Sequence, residues 1–87
     1  MEAKFKLIDG EFSVGEAKEI IGNLLEFKIQ YHSKQNFGSE IRTGVSDQKS
    51  LSRKENLKAT KIHFLSYLEQ MSDTDVINIH SEISIKK

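Results

Sequence analysis

The sequence predicts a single two-layer α+β domain, in which an antiparallel helical hairpin packs on one face of a small antiparallel sheet. Both ends of the chain alternate apolar and polar residues, which is typical of strands with one buried face. Two long central segments repeat their apolar residues at helical spacing instead. A chain of 87 residues has room for one domain, 1–87, so the predicted order is β-α-α-β.

The first strand is predicted at residues 4–9, KFKLID. Phe5 and Leu7 fall on one side of it, and Lys4 and Lys6 fall on the other. The dipeptide Asp9-Gly10 is a typical turn sequence, so we expect the strand to end there.

The first helix is predicted at residues 13–35. Ser13 and Glu16 have the spacing of a capping box, in which each side chain accepts a hydrogen bond from the other residue's amide. The helical spacing of the apolar residues predicts a broad face directed at the core. These residues are Ala17, Ile20, Ile21, Leu24, Leu25, Phe27 and Tyr31. Asn36 or Gly38 can adopt the left-handed conformation that ends a helix, which predicts a loop at 36–47.

The second helix is predicted at residues 48–71, and its start has two alternatives. Asp47 can cap it, and so can Ser52, which has the capping-box spacing with Glu55. The apolar residues that define the helix are Leu57, Ile62, Phe64, Leu65, Leu68 and Met71. A polar turn at 72–75 follows.

A glycine in the middle of the first predicted helix also has two explanations. Gly22 costs about 1 kcal/mol relative to alanine in a helix. Either the second helix approaches the first closely at this point, or the position tolerates any small residue.

The last strand, at residues 76–86, has the clearest pattern in the chain. Ile77, Ile79, Ile83 and Ile85 share one side, interrupted only by Ser81. The last strand is predicted to be longer than the first, so its apolar end would lack a partner strand. We therefore expect a homodimer in which the last strands pair, with Ile83 and Ile85 in the interface. The alternative is a frayed end, protected by the charges of Lys86 and Lys87.

No sequence motif indicates catalysis, a metal site or a cofactor. The chain has no cysteine, and its three histidines, His32, His63 and His80, have no ligand spacing between them. His32 is expected near the end of the first helix, where a cation suits the helix dipole. The glycines form no phosphate-binding loop, and no nucleophile motif is present. We expect a protein that is not an enzyme and binds no cofactor or metal.

Positive charge is concentrated in the middle of the chain. Residues 42–63 contain six Lys and Arg against two acids, in a chain whose net charge is zero. If the second helix began near Ser52, Arg53 and Lys54 would occupy its first turn, where the dipole disfavours cations. The candidates for binding an anionic partner are Arg42, Lys49, Arg53, Lys54, Lys58 and Lys61. This basic tip of the hairpin predicts nucleic-acid binding as an alternative function.

The favoured function is a small protein-interaction or structural module that associates with itself and possibly with another protein. The N-terminus MEAKFKLIDG has no long apolar run, so we expect no signal peptide. No segment approaches the length of a membrane span, so no membrane partner is expected. Without cysteine to indicate an oxidising compartment, the cytoplasm is the default location.

Overall fold

The computed structural model describes residues 1–87 and confirms the α+β class and the β-α-α-β order. The elements are β1 (Glu2–Ser13), α1 (Val14–Thr43), α2 (Gln48–Leu68) and β2 (Val76–Lys86). The two strands form an antiparallel two-stranded sheet, and the helices contact the strands. The last strand has the predicted bounds, whereas the first strand and the first helix are both longer than predicted.

The two strands pair along their whole length. The register runs from Glu2 opposite Lys86 to Ser13 opposite Val76. The predicted end of the first strand at 9 is therefore wrong, because Gly10 stays in the ladder opposite Ile79 and the alternation continues through Phe12. Pairing with a long partner strand outweighs the local preference of Asp-Gly for a turn. The last strand consequently has no unpaired end, so the unequal lengths that motivated the predicted dimer are absent.

The capping box at the start of α1 is confirmed. The Glu16 amide donates to Ser13 Oγ at 3.1 Å, and the Ser13 amide donates to Glu16 Oε1 at 3.1 Å. The Ser13 amide, and after it the Ser13 hydroxyl, hold the pKa of the Glu16 carboxyl below its ordinary value, because hydrogen bonds to the carboxylate stabilise its charged form. The cap therefore fixes the point where β1 ends and α1 begins.

The first helix ends at Gly44 rather than near 36. Gly44 has a φ of +71°, and its amide donates to the Glu40 carbonyl, as in a left-handed helix cap. Asn36 lies within the helix, and its side chain joins the two helices: Oδ1 accepts from the Asp47 amide at 2.8 Å. The predicted loop 36–47 is thus reduced to 44–47.

The second helix begins at Gln48, as predicted, and Asp47 is its cap. The Ser50 amide donates to Asp47 Oδ1 at 3.1 Å, which holds the pKa of the Asp47 carboxyl below its ordinary value. Ser52 is not the cap, because it lies inside the helix. The helix ends at Leu68, three residues before the predicted end.

The cluster of buried residues that joins the helices to the sheet lies at their junction, and two further buried apolar residues, Ile29 and Leu57, lie in the helices outside it. Val14, Ala17 and Leu68 are buried at the junction, and the half-buried Phe64, Met71, Ile77 and Ile79 pack against them. Backbone bonds close the same corner: the Val14 amide donates to the Asp75 carbonyl, and the Gly15 amide donates to the Asp73 carbonyl. The Lys18 ammonium lies 2.8 Å from Asp73 and 3.6 Å from Glu69, which raises the pKa of Lys18.

Beyond this junction the sheet and the helical hairpin separate into two arms. The 30 residues of α1 are about 45 Å long, and the 12 residues of β1 about 40 Å. The whole molecule measures only 48 × 35 × 14 Å, so the arms are not end to end. Its accessible surface of 6577 Å² exceeds, by about 1,300 Å², the roughly 5,200 Å² expected for a folded monomer of this mass. Much apolar surface therefore lacks a partner within the chain.

Candidate interaction surfaces

One face of the sheet is apolar along its whole length. We call the end of the sheet that holds the chain termini its free end. From the free end to the junction, the pairs on this face are Ala3–Ile85, Phe5–Ile83, Ile8–Ser81, Gly10–Ile79 and Phe12–Ile77. The helices cover only the junction end of this face. At the free end the exposed fractions are 55% for Phe5, 43% for Ile83 and 53% for Ile85. We call the four residues Ala3, Phe5, Ile83 and Ile85 the sheet patch.

A β-bulge keeps the apolar residues of β1 on one face. Lys6 lies opposite Glu82, but the next paired residue is Ile8 opposite Ser81, so Leu7 is an extra residue. Without this insertion, Ile8 and Phe12 would face the opposite side from Phe5. Ser81, the one interruption of the isoleucine pattern, lies across from the bulge. The sequence shows the interruption at Ser81, although it does not by itself indicate a bulge.

The opposite face of the sheet is polar, and it carries cross-strand pairs of opposite charge. Glu2 lies opposite Lys86, and Lys6 lies opposite Glu82. On the same face, His80 Nδ1 lies 3.6 Å from Asp9 Oδ1, across the strand pair. This polar face is compatible with solvent, so the sheet patch is the surface of this arm that requires a packing partner.

A second uncovered apolar surface follows α1. Ile20, Leu24, Phe27 and Tyr31 are spaced by four, three and four residues, so they form one stripe, which we call the α1 stripe. All four are exposed, and Phe27 is 69% exposed. The prediction that these four residues face the core is wrong. Of the predicted face, Ala17 is buried and Ile21 and Leu25 are half-buried. The other buried residues of α1 are Val14, Gly22 and Ile29. The sequence signal was available: apolar residues surround most of this helix, which is more than one partner helix can bury.

The basic candidates do not form one surface. Lys54, Lys58 and Lys61 line a groove of about 330 Å³ between the helices, which we call the lysine groove. Lys49 and Arg53 lie along a different, shallow surface of α2. Arg42 lies on α1, where its guanidinium is next to Gly38. The extended basic tip is absent, because a loop of only four residues, 44–47, connects the two helices.

Part of the charge in the lysine groove is neutralised within the chain. Lys61 Nζ lies 2.9 Å from Glu26 Oε2 and joins the two helices. The pKa of Glu26 is lowered, first by a hydrogen bond from Gln30 and then by Lys61. Lys58 lies 3.9 Å from Glu55, at the limit of an ion pair. Lys61 therefore has a structural partner, and the groove is less basic than its lysines suggest.

The predicted conflict of Arg53 and Lys54 with the helix dipole is absent, and of the six basic candidates only Lys49 lies in the first turn of α2. Because α2 begins at Gln48, Arg53 and Lys54 lie beyond its first turn. The first turn instead has the Asp47 carboxylate at its cap, where negative charge is favoured. The unusual position of these cations, which favoured an anionic partner, does not exist in the folded chain.

The histidines take separate positions. His32 lies inside α1 rather than near its end, because the helix continues to Thr43, so the predicted dipole role is wrong. Its Nδ1 is buried without a hydrogen-bond partner, and its ring meets Tyr31 edge to face at 5.3 Å. His63 and His80 are exposed. No three His, Asp or Glu side chains are placed to hold a metal ion.

The fold and these surfaces define a β-α-α-β protein with two arms, each of which has an exposed apolar surface: the sheet patch on one and the α1 stripe on the other. Comparison with models of protein families, with curated proteins and with solved structures gives no significant match. Neither helix contains an apolar stretch long enough to cross a membrane.

Proposed function

We propose that this protein is a homodimeric interaction module, that it works without catalysis, and that the sheet patch lies in its interface. The observation that carries the proposal is a fully paired sheet whose apolar face is exposed at its free end. An isolated two-stranded sheet is marginally stable in water, and it needs a packing partner on its apolar face. This arm has such a partner only near the junction.

The amount of uncovered surface supports a stable association. The excess of about 1,300 Å² per chain is larger than the roughly 800 Å² that each partner buries in a standard interface. The radius of gyration of 16.0 Å also exceeds the roughly 12 Å expected for a compact domain of this length. A second copy is the simplest partner, since it brings the same two uncovered surfaces.

Both outer edges of the two-stranded sheet are free, so pairing between the last strands of two copies stays a prediction. It would join the sheets into one of four strands and place Ile83 and Ile85 near the twofold axis. The support for this pairing is the free outer edge of β2 together with the exposed apolar face, since the strands themselves pair along their whole length. We propose that the protein acts in the cytoplasm, since its fold uses no disulfide.

Nucleic-acid binding stays an alternative, and it is less well supported. The six basic side chains divide among separate surfaces, and Lys61 is paired with Glu26. A phosphate backbone is bound best by cations that lie along one surface. Lys49 and Arg53 lie together on one surface of α2, and Lys54 and Lys58 lie on the other, so each surface offers only a small number of cations.

The test compares two neighbouring residues of β2. Ile83→Glu places a charge in the sheet patch, whereas Ser84→Glu places the same charge on the polar face, opposite Lys4. We expect light scattering after size exclusion to give the mass of two chains for the wild type and for Ser84→Glu. Ile83→Glu should give the mass of one chain, because an unpaired buried charge opposes association. Far-UV circular dichroism checks that both variants fold.

A wild-type mass of one chain at micromolar concentration would overturn the proposal. Equal dimer fractions in Ile83→Glu and Ser84→Glu would show that the protein associates through some other surface.

A further inference from the structure

We propose that, in the dimer, the sheet patch of each copy packs on the α1 stripe of the other copy. We call this reciprocal contact the exchange. This inference rests on the proposed self-association and names the surface that covers the sheet. The competing arrangements are direct contact between two sheet patches and edge pairing without a helical cover.

The first argument is that α1 already packs on this face of the sheet within one chain. Ala17 belongs to the buried cluster against which Ile77 and Ile79 pack. Leu24 and Tyr31 follow Ala17 at intervals of seven residues, so they lie on nearly the same side of the helix. The α1 stripe thus continues the helix surface that contacts the sheet at the junction.

The second argument is that the α1 stripe is long enough to cover the sheet patch. From Ile20 to Tyr31 the helix rises about 17 Å. From Ile83 to Ile85 the strand extends about 7 Å. Within one chain, the sheet contacts α1 only at the junction. A sheet arm from a second copy would therefore extend this contact along the helix.

The third argument is that neither arm can cover the other inside one chain. The two arms meet at a short buried corner, where main-chain bonds from Val14 and Gly15 hold the start of α1 against the turn at 73–75. Phe27, Leu24 and the sheet patch stay exposed while this corner is intact. Exchange between two copies covers both surfaces without opening the corner.

Single substitutions test each half of the contact. Ile83→Glu changes the sheet patch, and Leu24→Lys changes the α1 stripe. Their matched controls are Ser84→Glu on the polar face of β2 and Asn23→Lys, which neighbours Leu24 on an exposed part of α1 outside the stripe. A homodimer contains each changed contact twice, so we expect both variants to raise the dimer dissociation constant by at least about a hundredfold. The controls should change it by less than about threefold.

Mixing the two variants tests whether the halves touch each other. A heterodimer of Ile83→Glu and Leu24→Lys keeps one contact wild-type on both sides and places opposite charges in the other. We expect native mass spectrometry, with one variant labelled with ¹⁵N, to show heterodimer in excess of either homodimer. Contact between two sheet patches would not produce this rescue.

The outcomes separate the two proposals. A monomeric wild type removes the proposed function together with this inference. If the wild type is a dimer and Leu24→Lys dissociates no more than Asn23→Lys, the α1 stripe is outside the interface, and only the exchange is overturned. Disruption by both variants without heterodimer on mixing overturns the exchange as well.

Discussion

At the scale of single residues, caps and glycines decide where the elements begin and end. Ser13, Asp47 and Gly44 each satisfy backbone groups at a helix terminus that would otherwise lack partners. The capping-box spacing at Ser13 identified its helix start from the sequence alone. The left-handed end was harder to predict, since Asn36, Gly38 and Gly44 are all suitable residues and only Gly44 takes that conformation.

Gly22 gives a prediction at this scale. The position is buried in α1, but a Cβ built there would meet no atom within 4 Å, so a closely approaching second helix does not explain this glycine. We expect Gly22→Ala to raise the free energy of unfolding by about 1 kcal/mol, because alanine restricts the unfolded chain and favours helix. Denaturation by urea, at matched protein concentration, measures it.

Gly44→Ala is the matched control for that substitution. Its surroundings are equally open, but its φ of +71° disfavours any residue with a Cβ. We expect it to lower the free energy of unfolding by about 1 kcal/mol. A loss of stability in Gly22→Ala as well would contradict the open space seen next to α1.

At the scale of elements, the helices are held to each other along their length and to the sheet only at one corner. Ion pairs and polar contacts such as Lys61–Glu26 and Asp47–Asn36 join the helices. The apolar residues that join helix and sheet are few, and Leu68, at 2% exposure, has the largest buried side chain among them. The stability of the arrangement therefore depends strongly on this corner.

We expect Leu68→Ala to lower the free energy of unfolding by about 2–5 kcal/mol, because it leaves a cavity between the helices and the sheet. Ile62→Ala, on the same helix but 63% exposed, should change it by less than about 1 kcal/mol. Equilibrium denaturation of both variants provides the comparison. Similar losses in the two variants would show that the corner is not the main core.

At the scale of the whole molecule, two arms with apolar surfaces indicate that folding and association are coupled. In such a protein the unfolding midpoint depends on concentration, because dilution favours two unfolded chains over one dimer. From typical unfolding entropies for dimers of this size, we expect the melting temperature to fall by about 4 °C for each tenfold dilution. Calorimetry between low and high micromolar concentration measures it, and a constant midpoint would argue for a folded monomer.

The sequence by itself determined the class, the order of elements, the capping box and the bounds of the last strand. These features depend on residues within a few positions of each other, such as Ser13 with Glu16 or the isoleucines of β2. It also placed Ile83 and Ile85 on the apolar face of their strand.

Only the tertiary structure decided how far β1 and α1 extend, where the bulge lies and which apolar residues are covered. The alternation of β1 predicted Leu7 on the side of Phe5, but the register with β2 puts Ile8 on that side and leaves Leu7 in the bulge. Leu24 was predicted to face the core, but it lies on the part of α1 that the sheet does not cover. The physical reason is that hydrophobic periodicity predicts which side of an element avoids water. It does not predict what packs on that side, because the packing partner comes from residues distant in sequence or from another chain.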